Sequence, residues 1–168
     1  LDLVTLPTGT VDLGYDGAGR LGSVSAPGGV ATTFVYDGPL VTSIATSGLV
    51  AGSVSFEYDT DLRVSSRTIG GAGGVAYGYD PDGLLTSAGA LTLGRNAATG
   101  FLETATLGAT ADSRTYTSFG ELDVYSASVS ASAVYAFDLD RDGAGRITTK
   151  TETVEGVTSV WEYVYHPQ

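Results

Sequence analysis

A tyrosine-aspartate step recurs along this chain and constrains its fold more than any other feature. Copies begin at Tyr15, Tyr36, Tyr58, Tyr79, Arg95, Tyr116, Arg141 and Tyr165, at intervals of 21, 22, 21, 16, 21, 25 and 24 residues. Self-similarity at such a period marks a repeat architecture, in which each unit buries apolar surface only against its neighbours. Tyr-Asp is complete at Tyr15-Asp16, Tyr36-Asp37, Tyr58-Asp59 and Tyr79-Asp80, whereas the copies at Arg95, Tyr116 and Arg141 have lost Tyr or Asp and the last reads Tyr165-His166.

Each copy carries the signature of a turn followed by a strand. Gly19, Gly83, Gly100, Gly120 and Gly145 each precede one variable residue and then an aliphatic, Leu21, Leu85, Leu102, Leu122 or Ile147. A glycine adopts φ > 0 without a Cβ clash and so suits the tip of a tight turn. Upstream of each Tyr the residues alternate, as in Val30-Thr32-Phe34-Tyr36, Val54-Phe56-Tyr58, Val75-Tyr77-Tyr79 and Trp161-Tyr163-Tyr165, which is the period-two pattern of a strand. The position two before each start holds Leu13, Phe34, Phe56, Tyr77, Leu93, Arg114, Leu139 and Tyr163, a column expected to form a buried ladder. With 24 glycines, ten tyrosines and no stretch of helical periodicity, the chain reads as all-β, about one hairpin per repeat.

The pattern resembles the YD repeat of the RHS family, in which Tyr-Asp, two or three variable residues, Gly-Arg-Leu and a later Phe/Tyr-x-Tyr-Asp recur about every twenty residues. Tyr15 to Asp37 fits it closely, and Asn96 to Leu102 resembles the family's longer turn variant. The resemblance implies a repetitive antiparallel β-hairpin strip, twisted and coiled, of the kind that forms the hollow shells of bacterial insecticidal toxin complexes, polymorphic RHS toxins and teneurins. Residues 1–168 would be a single array of about seven repeats, an excised fragment of a longer protein forming a partial shell or solenoid-like wall. Its partners would be neighbouring repeats and an enclosed toxin domain, and its location bacterial, secreted or at the cell surface. The residues assigned to the structural repeat are Tyr15, Asp16, Gly19, Leu21, Phe34, Tyr36, Asp37, Phe56, Tyr58, Asp59, Tyr77, Tyr79, Asp80, Gly83, Gly100, Tyr116, Gly120, Gly145, Tyr163 and Tyr165. Tyr and Phe are expected to stack between successive hairpins, while the turn Asp residues cap backbone amides.

Charge and composition narrow the chemistry. A formal net charge of −11, with Lys150 the single lysine, disfavours nucleic acid and anionic membranes as partners. No apolar run approaches the roughly 20 residues of a membrane-spanning helix. Without cysteine there are no disulfides, thiolate nucleophiles or Cys-bearing zinc sites; with His166 the single histidine, no His-based metal cluster can form and a serine nucleophile has no histidine partner apart from it. No catalytic constellation and no cofactor motif is found, so the expected function is non-enzymatic. Repetition itself argues for structure, since an active site needs one asymmetric constellation.

Several local motifs have a second reading. Asp138, Asp140 and Asp142 followed by Gly143 match the first half of a calcium loop, yet position twelve is Thr149 where a bidentate Glu is required. Trp161 beside acidic residues could stack on a sugar, which would suit an adhesion or carbohydrate-binding module. Gly70 to Gly74 reads as a hairpin tip, since neither a following helix nor a Gly-Lys-Ser/Thr ending makes it a phosphate loop. Asp80-Pro81-Asp82-Gly83-Leu84 resembles the autoproteolytic element of some RHS proteins but lacks its Gly-Gly and keeps the phase of the array. Finally, an open array leaves two strand edges, through which self-association is expected.

Overall fold

The computed structural model describes residues 3–166, all of them in strands, turns and short connections. The chain divides into two compact units, Leu1–Tyr77 and Gly78–Gln168. Its strands are antiparallel and follow in the sheet the order they have in the sequence. Two to five residues join most neighbouring strands, too few for the crossover that a parallel pairing demands.

In the first unit the strands are β1 (Leu3–Leu6), β2 (Gly9–Tyr15), β3 (Leu21–Ala26), β4 (Val30–Asp37), β5 (Leu40–Ser47), β6 (Gly52–Tyr58), β7 (Val64–Ile69) and β8 (Ala72–Tyr79), the last ending just past the division. Register sorts their side chains by face. Leu13 lies opposite Val24 and Val24 opposite Thr32, Phe34 opposite Ile44 and Ile44 opposite Val54, and Phe56 opposite Arg67 and Arg67 opposite Val75. The other face carries Asp12, Ser25 and Ala31, then Ser43 and Ser55, then Glu57, Ser66 and Ala76. One face is thus apolar and the other small and hydroxylated.

The second unit holds β9 (Leu85–Ala88), β10 (Leu91–Arg95), β11 (Leu102–Leu107), β12 (Thr110–Tyr116), β13 (Leu122–Val129), β14 (Ser132–Arg141), β15 (Ile147–Val154) and β16 (Val157–Glu162). Its first face runs Leu93, Ala105, Asp112, Ala127, Tyr135 and Val154, with Arg114, Tyr125, Phe137 and Glu152 one step along. Behind them Thr104, Ser113, Ser126, Ala136, Thr153 and Thr158 form a cross-strand row, in which Ser113 and Ser126 share a 2.8 Å hydrogen bond and Thr153 and Thr158 one of 2.9 Å.

The expected buried ladder is not buried. Among the described residues no side chain is fully enclosed: Leu13, Phe34, Phe56, Tyr77, Leu93, Arg114 and Leu139 are half-buried, and Tyr163 is exposed. A sheet one layer thick has nothing across its apolar face, so side chains are shielded only by neighbours to left and right. Nor do aromatic rings stack from repeat to repeat throughout. Contacts between rings join Phe101 to Tyr116 and link Tyr125, Tyr135 and Phe137. In the first unit Phe34 and Phe56 meet aliphatic or arginine side chains, because the aromatic occurs once per two strands and the returning strand supplies the intervening residue.

Every repeat start that has a recorded register coincides with a break in pairing. The shifts fall at Gly14/Tyr15, Val35/Tyr36, Glu57/Tyr58, Gly94/Arg95, Arg114/Tyr116 and Asp140/Arg141. Each is a β-bulge with one extra residue on the returning strand, so that Tyr15 faces Leu21, Tyr36 faces Val41, Tyr58 faces Val64, Arg95 faces Leu102, Tyr116 faces Leu122 and Arg141 faces Ile147. The recurring tyrosines therefore share one backbone setting, and the arginine copies share it too.

Candidate functional site

The feature with the most specific chemistry is the junction between one repeat and the next. It is built from a turn, a carbonyl and a donor.

The turn is a five-residue loop closed on the Asp of the repeat. Asp16 N donates to Arg20 O at 2.9 Å and Gly19 N to Asp16 O at 3.0 Å. The Asp16 carboxylate then accepts from the backbone N–H groups of Ala18 and Arg20, both at 2.9 Å, and from Arg20 Nε at 2.7 Å. Asp59 and Asp142 repeat this set with Asp61 and Arg63, and with Ala144 and Arg146. Asp80 caps Asp82 and Leu84, and the same task falls to Asn96 Oδ1 and Thr117 Oγ1 where the Asp is missing. The backbone N–H of Arg20 foremost, with its guanidinium, holds the Asp16 carboxyl below the usual range; Arg63 does so for Asp59, and at Asp142 the Arg146 guanidinium comes first. The expectation that turn Asp residues cap amides holds for Asp16, Asp59, Asp80 and Asp142. Asp37 instead ends β4 at a two-residue Gly38-Pro39 turn, with Gly38 at φ +52, as a II′ hairpin requires at its first central position.

Position four of the loop takes the left-handed conformation at Gly19, Gly83, Gly120 and Gly145, with φ of 77, 81, 81 and 79°, and Gly100 does so at 73° as position five of the six-residue loop Asn96 to Phe101. Leu62 occupies position four in the third copy at φ 63°, a strained setting for a side chain that is 63% exposed and so gains little from burial. Leu62→Gly should therefore stabilise the protein by about 1 kcal/mol. A higher urea midpoint at unchanged denaturant slope is the expected reading, and a lower midpoint would show that the leucine side chain contributes more than its strain costs.

The carbonyl belongs to the aliphatic that follows each turn. Leu21 O accepts from Tyr36 OH at 2.8 Å, Val41 O from Tyr58 OH at 2.7 Å, Leu102 O from Tyr116 OH at 2.8 Å and Ile147 O from Tyr165 OH at 2.8 Å. Where tyrosine is lost, arginine supplies the donor: Arg95 Nε reaches Leu85 O at 2.9 Å, and Arg141 Nη2 donates to Leu122 O. Leu21, Val41, Leu102, Leu122 and Ile147 thus each face their own repeat's Tyr or Arg across the bulge while their carbonyls receive the donor of the following repeat. The invariant of the array is a long polar side chain reaching that carbonyl, and tyrosine is its commonest bearer. Sequence reasoning took Arg95 and Arg141 as lapsed copies and missed this, although both side chains are donors of suitable reach.

Arginine at the end of a turn adds a second tie. The guanidinium carbon of Arg20 lies 4.5 Å from the Tyr36 ring centroid, and that of Arg146 4.7 Å from that of Tyr165, while each Nε stays bonded to its turn Asp. Asp16, Arg20, Tyr36 and Leu21 therefore form one closed set across two repeats. The carboxylate orients the guanidinium plane, and the plane covers the ring whose hydroxyl reaches the carbonyl.

Other candidate residues are placed without forming a site. Asp142 spends both carboxylate oxygens on its own turn, and among the described residues no group of three or more His, Cys, Asp or Glu could hold a metal. Trp161 is 54% exposed and lies opposite Lys150, whose ammonium bonds Glu152 at 2.6 Å; Tyr135 OH also donates to Glu152 at 2.7 Å. That set is closed on itself: Lys150 foremost lowers the Glu152 pKa, with Tyr135 and Trp161 also donating to it, and Glu152 raises that of Lys150. Gly70-Gly71 make the two-residue turn between β7 and β8. In the second unit, open grooves of about 560, 470 and 550 Å³ separate successive turns, lined in order by Asp80 to Gly100, Asn96 to Gly120 and Thr117 to Gly145. Their recurrence makes them a product of turn spacing, in contrast to the single convergent pocket of an enzyme.

Fold and junction together define a repeat protein made of hairpins, each tied to the next through a strand-start carbonyl. The Teneurin YD-shell family model matches residues 2–168, and the chain belongs to that family. Among solved structures, a Photorhabdus luminescens Tc holotoxin pore carrying the TccC3-D651A mutation superposes with a TM-score of 0.72 at 13% identity, over 91% of this chain and 9% of that one. A TcdB2-TccC3-Cdc42 crystal structure gives 0.69 at 12% identity over 91% and 10%, and a TcdB2-TccC3-TEV crystal structure 0.61 at 12% over 94% and 9%. The chain thus spans about a tenth of the length of each. No curated protein matches it. The chain is a segment of structural β-shell, as the sequence resemblance implied.

Proposed function

We propose that this array is a non-catalytic wall segment of an RHS-type shell that encloses or carries a toxin or other effector, within a secreted or surface-displayed bacterial protein. The observation that carries the reading is the persistence of the junction: the carbonyl finds its donor whether the residue is Tyr36, Tyr58, Arg95, Tyr116, Arg141 or Tyr165. Chemistry that survives replacement of the donor serves continuity of the sheet, since catalysis depends on the identity of its groups. Similarity to structures whose names include a Tc holotoxin and TccC3 supports a container as the kind of assembly.

The test is limited proteolysis of the longer protein that carries this array, with the segment that follows the shell in place. The wall reading expects that segment to resist cleavage while the wall is intact and to become cleavable when the junction is broken by Arg141→Leu. Equal cleavage in both proteins would refute it. Catalytic turnover of a glycoside or peptide panel that survives junction mutations but fails on loss of one carboxylate would do the same.

A further inference from the structure

Arg67 breaks the pattern of the first unit's apolar face. Across from the residue two before each repeat start, the returning strand sets Val24 against Leu13 and Ile44 against Phe34, but Arg67 against Phe56. Val75 lies on its other side. A guanidinium therefore stands on a surface made by Phe34, Ile44, Val54, Phe56 and Val75, at a position that the two preceding repeats give to an aliphatic.

Its charge has no counterpart. Arg20, Arg63 and Arg146 each bond a turn aspartate, Arg114 bonds Asp112, Arg95 donates to two carbonyls and Arg141 reaches a carbonyl and two carboxylates. Among the described residues Arg67 is the one arginine with no hydrogen bond, ion pair or ring contact, and it is exposed. Asp12 and Glu57, the acids within strands β2 and β6, belong to the hydroxylated face behind it. The last repeat shows how such a charge is matched from within: Lys150 holds the equivalent position opposite Leu139, and Glu152, two residues on, bonds it at 2.6 Å. Two residues on from Arg67 stands Ile69. The anion for Arg67 has to come from whatever covers the face.

We propose that this face docks a polypeptide segment from outside the array, one that lays apolar side chains on Phe34, Ile44, Val54 and Phe56 and sets an aspartate or glutamate against Arg67. Covering the face takes the guanidinium out of water, and a desolvated cation left unpaired opposes the apolar contact around it. A wholly uncharged segment is thereby disfavoured, while a carboxylate meets the guanidinium fork with two parallel hydrogen bonds. A second copy of the chain does not supply that acid: its matching face has none, and Asp112 and Glu152 on the apolar face of the second unit are taken by Arg114 and Lys150. An anionic membrane is opposed by the net charge of −11.

The test titrates the full chain, followed by heteronuclear NMR, with two short amphipathic peptides that are uncharged on their polar faces and carry either Glu or Gln at the centre of the apolar face. The Glu peptide is expected to bind with a dissociation constant on the order of 100 µM, about tenfold tighter than the Gln peptide, and to shift the Arg67 Nε–H together with amides of β4 to β7. Arg67→Gln should erase the preference and Arg67→Lys should keep most of it. Arg67→Glu should reverse it in favour of a peptide with Lys at the centre. Urea midpoints of these variants should match that of the parent, since the side chain is exposed and unpaired. Equal affinity for the Glu and Gln peptides, a preference that survives Arg67→Gln, or co-sedimentation with phosphatidylglycerol vesicles in place of peptide binding would each overturn the proposal.

Discussion

Replacing Arg141 by leucine is expected to destabilise the protein by about 2–3 kcal/mol, whereas replacing it by tyrosine restores most of that loss. Arg141 is the most enclosed charged side chain among the ion pairs, 12% accessible, and it reaches the Leu122 carbonyl and two carboxylates at once. Its Nη2 donates to Leu122 O, its Nε lies 3.6 Å from Glu121 and its Nη1 3.6 Å from Asp123. Leucine fills similar space but leaves the carbonyl without its donor and two carboxylates without a cation, and an unmade bond to a shielded group costs more than a made one contributes. Tyrosine gives up the cation yet returns the donor, as Tyr36, Tyr58, Tyr116 and Tyr165 show at the equivalent carbonyls. Urea unfolding of the three proteins reads the result. Equal losses for leucine and tyrosine would mean that the ion pairs, and not the carbonyl, are what Arg141 supplies.

The same substitution logic explains how far the fold could be read in advance. Hairpins, their number and the glycine-marked turns are encoded locally, by alternation and by the φ > 0 requirement at Gly19, Gly83, Gly100, Gly120 and Gly145, so they were legible. The junction joins residues 10 to 19 apart through a backbone carbonyl, which carries no side-chain signal at the acceptor. Its donor can be Tyr or Arg, so a search for tyrosine alone counts Arg95 and Arg141 as decay. Leu62 shows the converse case: the loop persists without its glycine because Asp59 and Arg63 make the full set of bonds around it. The buried ladder was misjudged for a physical reason. Alternation reports which face is apolar, while burial depends on a second layer that the strand sequence does not describe.

The turn carboxylates also make stability depend on pH, and the sign follows from their lowered pKa values. Asp16, Asp59 and Asp142 sit below the ordinary 3.8 in the folded chain because Arg20, Arg63 and Arg146 bond the ionised form. Each therefore contributes stability that is complete above the unfolded value and disappears as pH falls through the lower folded one. Three such groups in three separate turns lose their bonds as pH falls below the ordinary carboxylate range, so acid unfolding there is expected to be steep. Lys150 works in the opposite direction: Glu152 raises it above 10.5, so its contribution is complete below that value and is lost only as pH rises past the folded pKa. The decisive comparison is Asp16→Asn, Asp59→Asn and Asp142→Asn combined. Asparagine keeps the acceptor that caps the loop, as Asn96 does with Ala98 and Thr99, but has no charge to lose. The triple variant should start less stable at neutral pH, for want of the arginine pairs, and then respond much less to acid. An acid transition of unchanged steepness and midpoint would place the titrating groups outside these turns and would remove the carboxylate from the account of how the repeats are closed.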